Sequence, residues 1–119
     1  MALDHKSNHE GKTYAVGELL SNQAANTNGL WHPLGGLQPI SVTFENTVGS
    51  PFVGTVRLHV SNANAQPAEA DVGALIGESI TSLPECLQFT QSWRWIKASV
   101  SGYTSGTLKA VGLWAGPGA

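Results

Sequence analysis

Alternation of apolar and polar residues is clearest in the middle of the chain. Ile40, Val42 and Phe44 alternate strictly with polar residues, which is the period-2 signal of a strand with one buried face. A second run over residues 52–60 follows the turn-forming residues 46–51. Phe52, Gly54, Val56, Leu58 and Val60 share one face of this run, and residues 53, 55, 57 and 59 share the other, more polar face.

The last third of the chain predicts two further strands, over residues 93–100 and 107–114. The link between them, residues 101–106, contains two glycines, so this segment is interpreted as a β-hairpin. Residues 94, 96, 98 and 100 share one face of the first strand, and residues 93, 95, 97 and 99 share the other. The pattern leaves open which face belongs to the core.

Helix-length amphipathic segments and internal repeats are absent from the pattern. Residues 68–85 are ambiguous, and residues 74–76 and 79–81 within them are consistent with short strands broken by Gly77. Fourteen glycines and six prolines, with turn signals every 8–12 residues, favour an all-β fold. We predict an antiparallel β-sandwich or jelly roll over residues 37–119.

Residues 1–36 have a different character, because their apolar residues are scattered among Asn, Gly, Ser and Gln. We interpret this segment as an extended N-terminal arm; a flexible tail is the alternative. The candidate interface residues on this arm are Tyr14, Leu19, Leu20, Leu30 and Trp31. Since ordering each residue costs about 1–2 kcal/mol, a few anchors cannot fix such an arm without pairing to a neighbour's edge strand.

Length and charge limit the possible functions. The chain has 119 residues, enough for one core, and only 12% of them are charged. The net charge of −2 supplies no basic field for a phosphate backbone, so nucleic-acid binding is disfavoured. The low charge favours a surface that other protein molecules partly cover.

The single cysteine, Cys86, allows no intrachain disulfide, and we expect it to be buried. The chain has no apolar run of about 18 residues and no secretory signal. We therefore predict no membrane partner and synthesis in a reducing cytoplasm.

Candidate catalytic groups form no recognisable set. His5 and His9 have helical i, i+4 spacing, but Gly11 and the polar setting disfavour a helix that could hold zinc. No G-x-S-x-G sequence occurs, and His59 is expected to be an exposed or hydrogen-bonded strand histidine. The sequence therefore predicts no enzyme, no metal and no cofactor.

Trp93 and Trp95 are predicted to point the same way from one strand. Such a pair is consistent with a core or subunit interface, and also with a platform on which sugar rings stack. We include both as candidate interface residues.

The residues of the last third also carry a resemblance. Trp93-Arg94-Trp95-Ile96-Lys97, followed by the turn Tyr103-Thr104-Ser105-Gly106-Thr107, resembles the C-terminal hairpin of small β-sandwich proteins of tailed bacteriophages. Residues 56–62 resemble an earlier strand and loop of that pattern. Similar modules occur in capsid cement (decoration) proteins and in tail or fibre proteins.

The resemblance implies a structural protein of the virion that is made in the host cytoplasm. We expect a capsid cement protein that stabilises the phage head, with the major capsid protein as its partner and a dimer or trimer as its own state. The alternative is a tail or fibre module that binds host glycan through its tryptophans.

Overall fold

Nine β-strands and no helix make up the residues that the structure describes, which are 3–7, 13–35, 39–47 and 51–115 of a computed structural model. No segment in these ranges is a helix long and apolar enough to cross a membrane. The strands are β1 (Leu3–Ser7), β2 (Thr13–Gln23), β3 (His32–Pro33), β4 (Ile40–Asn46), β5 (Val53–Ser61), β6 (Ala74–Ile80), β7 (Glu85–Phe89), β8 (Trp95–Ser105) and β9 (Leu108–Ala115).

The strands form two antiparallel sheets with the orders β1-β2-β9-β4-β7 and β3-β8-β5-β6. Strand β5 pairs with β6, β4 with β7, β3 with β8 and β2 with β9. The same four pairs arise when one long hairpin, with its turn between β5 and β6, is rolled up into two sheets. This arrangement is a jelly roll. The predicted all-β sandwich is confirmed.

The core lies between the two sheets and follows the predicted alternation. Phe44 on β4 is fully buried, as is Val56 on β5. On strand β8, Ile96, Ala98 and Val100 point into the core. This face of β8, which the sequence did not identify, is therefore the buried one. The buried inward residues of β4, β5 and β8 are Ile40, Val42, Phe44, Val56, Leu58, Val60, Ile96, Ala98 and Val100.

Residues 13–35 belong to the sandwich, whereas the sequence pattern placed a boundary at residue 36. Strand β2 lies inside the five-stranded sheet, between β1 and β9. Its pairing with β9 shifts register on both sides of Leu20, and such irregularities interrupt the period-2 pattern. Leu19 and Leu20 are consequently both buried, although they are adjacent. The missing alternation made this strand look like an arm.

Strands β8 and β9 do not form the predicted hairpin, because they lie in different sheets. The chain crosses between the sheets at Gly106, whose φ is +89°. A Cβ atom at Gly106 would lie 2.4 Å from Cα of Phe52, so only glycine fits this crossing. The Tyr103 hydroxyl donates a hydrogen bond to the Gly106 carbonyl at 2.7 Å. Alternation predicted that both strands exist, but β8 continues to Ser105 through most of the predicted link. Alternation also contains no information about the partners of a strand.

Candidate interaction surface

The outer face of the four-stranded sheet is largely polar in sequence, yet two polar residues on its central strands are buried. Strands β5 and β8 pair His59 with Lys97, and both point away from the core because their neighbours Leu58 and Ile96 point into it. His59 is 7% exposed and Lys97 only 2%. Their cover includes residues 62–73, which connect β5 to β6 and are called the β5–β6 loop below.

Lys97 binds this loop through backbone oxygens. Its Nζ donates hydrogen bonds to the carbonyls of Glu69 at 2.8 Å and Asp71 at 2.6 Å. The same ammonium lies 4.8 Å from the ring centroid of Trp31, within cation–π distance. Burial lowers the pKa of Lys97, and the nearby carboxylates of Asp71 and Glu69 oppose that shift. The Lys97 ammonium therefore holds two carbonyls of the loop by hydrogen bonds.

Trp31 holds the same loop from the side of β3. Its indole Nε1 donates to the carbonyl of Ala68 at 3.0 Å, and the side chain is 5% exposed. The loop passes close to this ring at Gly73, whose φ is +61°; a Cβ atom there would lie 2.9 Å from Cη2 of Trp31 and 2.4 Å from the Val60 carbonyl oxygen. A side chain at residue 73 would thus push the loop off the sheet.

His59 fixes the end of the loop that leads into β6. Its Nδ1 lies 2.8 Å from the carbonyl oxygen of Val72. A carbonyl can only accept, so Nδ1 carries the proton and donates it. Nε2 is then free to accept from the Ser99 hydroxyl at 2.6 Å. Burial lowers the pKa of His59, with the Val72 hydrogen bond opposing and the charges of Lys97 and Arg57 adding to the shift.

The other end of the loop is tied down as well. The indole Nε1 of Trp95 donates to the carbonyl of Ala63 at 3.0 Å, and Nη1 of Arg94 donates to Oδ1 of Asn64 at 2.6 Å. The side chains that hold the β5–β6 loop, called the loop clamp below, are Trp31, His59, Arg94, Trp95 and Lys97.

The outward side of the clamped loop is small, polar and acidic. Glu69 and Asp71 are exposed, since Lys97 uses their backbone carbonyls rather than their carboxylates. Two exposed apolar side chains accompany them: Val72 is 56% exposed and Leu75, at the start of β6, is 48% exposed. We call this set, Glu69, Asp71, Val72 and Leu75, the loop surface.

The predicted interface residues are spread over several environments. Leu19 and Leu20 lie in the core of their own chain, and Trp31 belongs to the loop clamp. Leu30 is 53% exposed. Tyr14 pairs with Ala115 in the ladder of β2 and β9, and its side chain lies outside the described part of the structure.

Trp93 and Trp95 do not form one platform. Strand β8 begins only at Trp95, so the alternation expected from residue 93 onward does not hold there. Trp93 packs against the core and meets the ring of Phe89 edge-on at 6.1 Å. Trp95 instead faces the β5–β6 loop. The prediction that the two indoles point the same way is wrong.

Sequence reasoning missed Lys97 as a functional residue and left His59 without a role. The sequence placed both residues on the more polar face of their strands, and this gave no reason to expect them to be buried. Their partners are backbone carbonyls of a loop, and any residue type can supply those.

The other candidate chemical groups of the sequence are His5, His9 and Cys86. Among the residues that the structure describes, no group of three His, Cys, Asp or Glu side chains could hold a metal ion. His9 lies outside them, and His5 is described only as part of the β1 backbone. Cys86 is exposed, and the expectation that it is buried is wrong. It lies on the edge strand β7 and pairs with Thr43 of β4, which is also exposed, so both side chains are on the outer face of their sheet.

Comparisons with known proteins bear on the fold alone. No protein-family model matches the chain, and no curated protein does. Among solved structures, the chain is similar to the one described as the crystal structure of SPBc2 prophage-derived protein YomS. The TM-score is 0.65 at 15% identity, over 86% of this chain and 92% of that one. The two chains thus share the architecture over nearly their whole lengths.

Proposed function

We propose that this protein is a structural component of a tailed-phage particle, a cement protein that binds the outside of the assembled head through the loop surface. The similarity in fold to a prophage-derived protein supports phage origin. In this role the protein binds the major capsid protein and itself, and carries out no catalysis.

The loop clamp is the observation that carries the proposal. Three side chains donate four hydrogen bonds to carbonyls of residues 68–72. Folding thus fixes a segment whose one apolar side chain larger than alanine, that of Val72, is exposed and not buried in the core. A segment ordered in advance loses less conformational entropy on binding, which is the property a docking surface needs.

Composition of the loop surface indicates the kind of partner. Val72 and Leu75 supply apolar contact, while Glu69 and Asp71 add negative charge beside it. A complementary shell surface has an apolar centre with Lys or Arg around it. Many copies bound to one shell make even weak single contacts sufficient, because a contact between bound copies becomes effectively intramolecular.

The alternative, a tail or fibre module that binds glycan through its tryptophans, has less support. The indole nitrogen of Trp95 is committed to Ala63, and Trp93 packs against the core. A sugar-stacking platform needs aromatic faces that are open to the ligand.

Two measurements test the proposal: the release of DNA from heated particles, and the binding of variants to purified heads. Particles that lack the protein are expected to release DNA at a lower temperature, and added wild-type protein should restore heat resistance. Val72→Glu introduces a charge at the loop surface and should weaken head binding at least about tenfold, a loss of roughly 1.4 kcal/mol. Co-sedimentation with purified heads measures it.

Val53→Glu is the matched control, because Val53 is a similarly exposed valine, 49% against 56%, at the other end of β5. It should bind heads like the wild type. Unchanged heat resistance without the protein, or equal binding by both variants, contradicts the proposal.

A further inference from the structure

A pocket of about 390 Å³ opens beside β2, where the segment leading into β3 passes it. The residues that line it include none of the loop surface. Its described walls combine the leucines 19, 20 and 30 with the polar side chains of Glu18, Ser21, Gln23 and Thr27. The volume falls within the range of small-ligand sites, roughly 300–1,000 Å³.

His32 is one of the residues that line this pocket. It pairs directly with Ile96 on β8, and directly paired residues point to the same side of a sheet. The imidazole therefore faces the interior between the two sheets. His32 is 4% exposed, and its Nε2 has no hydrogen-bond partner among the described residues. A buried polar atom without a partner costs free energy, so its retention beside a cavity points to an occupant.

The charge of the lining restricts that occupant. Glu18 is the one carboxylate among the described lining residues, and no lysine or arginine is among them. Burial lowers the pKa of His32, so the imidazole adds no positive charge at neutral pH. Among these lining residues an anion would meet the carboxylate of Glu18 without a compensating cation, whereas a cation is favoured.

The apolar part of the lining adds a second requirement. Leu30 is 53% exposed at this pocket, and Leu19 and Leu20 continue the apolar surface inward. An occupant that covers Leu30 needs an aliphatic portion next to its charge. Lysine and arginine side chains have this construction, with an apolar stem and a cationic head.

We infer that the pocket between β2 and β3 receives a lysine or arginine side chain of a neighbouring protein, its stem against Leu30 and its charge toward Glu18. The inference that the neighbour belongs to a phage shell rests on the proposed function. The pocket itself does not need that premise, and it gives the protein a second attachment point apart from the loop surface.

Titration with n-butylguanidinium chloride, which mimics an arginine side chain, tests the site on the isolated full-length protein. Nuclear magnetic resonance of the His32 ring and of the amides of Thr27 and Gly29 should show saturable shifts, with a dissociation constant of about 1–10 mM. Sodium butyrate, of the same chain length and opposite charge, should produce none.

Glu18→Gln should weaken the affinity for butylguanidinium at least about tenfold, while Glu78→Gln on the distant β6 should leave it unchanged. Absence of saturable shifts, equal shifts from butyrate, or equal affinity in Glu18→Gln overturns the inference. No shell protein takes part in this measurement, so its failure is distinguishable from a failure to bind heads.

Discussion

The two faces of the four-stranded sheet are both shielded from solvent where β5 and β8 pair His59 with Lys97, but by different means. The inner face buries Leu58 and Ile96 at 1% and 0% exposure. The outer face, one residue further along each strand, buries His59 and Lys97 almost as completely. Apolar contact with the opposite sheet covers the first pair, and a hydrogen-bonded loop is part of the cover of the second.

This difference separates two kinds of stabilisation. Apolar burial is non-directional, and it stabilises every strand that borders the core. The loop clamp is directional, and each of its hydrogen bonds holds one point of the β5–β6 loop. We therefore expect inner-face changes to lower the stability of the whole domain, and outer-face changes to act first on the loop.

Leu58→Ala should have the largest effect. The substitution removes a side chain that is 1% exposed and leaves a cavity between the sheets, so the free energy of unfolding should fall by about 2–5 kcal/mol. Urea denaturation followed by tryptophan fluorescence measures it. Leu75→Ala, at a 48% exposed leucine, should change stability by at most about 0.5 kcal/mol. Similar losses in both variants would remove the distinction between the core and the loop surface.

Lys97→Met should have a smaller and more local effect. The methionine keeps an apolar stem but leaves the carbonyls of Glu69 and Asp71 without their donor, which costs about 1–3 kcal/mol if the loop stays closed. Opening of the loop lets water reach these carbonyls, so part of that cost is avoided. Hydrogen exchange of the Asp71 amide, which donates to the Ala68 carbonyl at 2.9 Å, should accelerate.

Lys109→Met is the control for that experiment, because Lys109 is a half-buried lysine on β9, in the other sheet. It should leave exchange in the β5–β6 loop unchanged. Loop protection that survives in Lys97→Met would mean that the ammonium does not hold the loop.

The same comparison explains what the sequence could reveal. Inner-face residues repeat every second position, so the core faces of β4 and β5 were predictable. The bulged strand β2 was not, because its register shifts around Leu20 bury adjacent leucines. The partner of β8 was not predictable either, since the crossing at Gly106 depends on a close contact with Phe52, 54 positions away in the chain.

The candidate site was less accessible to prediction than the fold. Lys97, His59 and Trp31 come from three distant segments, and their acceptors are backbone carbonyls that carry no residue-type signal. Identifying the loop clamp requires knowing that β3, β5 and β8 lie in one sheet and that residues 62–73 cover it.

Lowering the pH should reduce stability at both faces of the sheet, because each face carries a buried histidine. This is the smallest of the expected effects. The pKa values of His59 and His32 are both lowered by burial, so the unfolded chain binds protons at a higher pH than the folded one. Their stabilising effect is complete above the unfolded value of about 6.5 and is lost as the pH falls through the lowered folded values. Stability measured by denaturation should therefore decline below about pH 6.5.

The variant His59→Asn separates the contributions of His59 and His32 to that loss of stability. The asparagine amide can still donate to the Val72 carbonyl, but it does not titrate. The protection factor of the β5–β6 loop amides, which is the intrinsic exchange rate at each pH divided by the observed rate, should fall below about pH 6.5 in the wild type and stay independent of pH there in His59→Asn. The part of the decline in global stability that comes from His32, which faces the core, should remain. If the loop of the variant still opens in acid, protonation of His59 is not what releases it, and the outer face is held chiefly by Lys97 and Trp31.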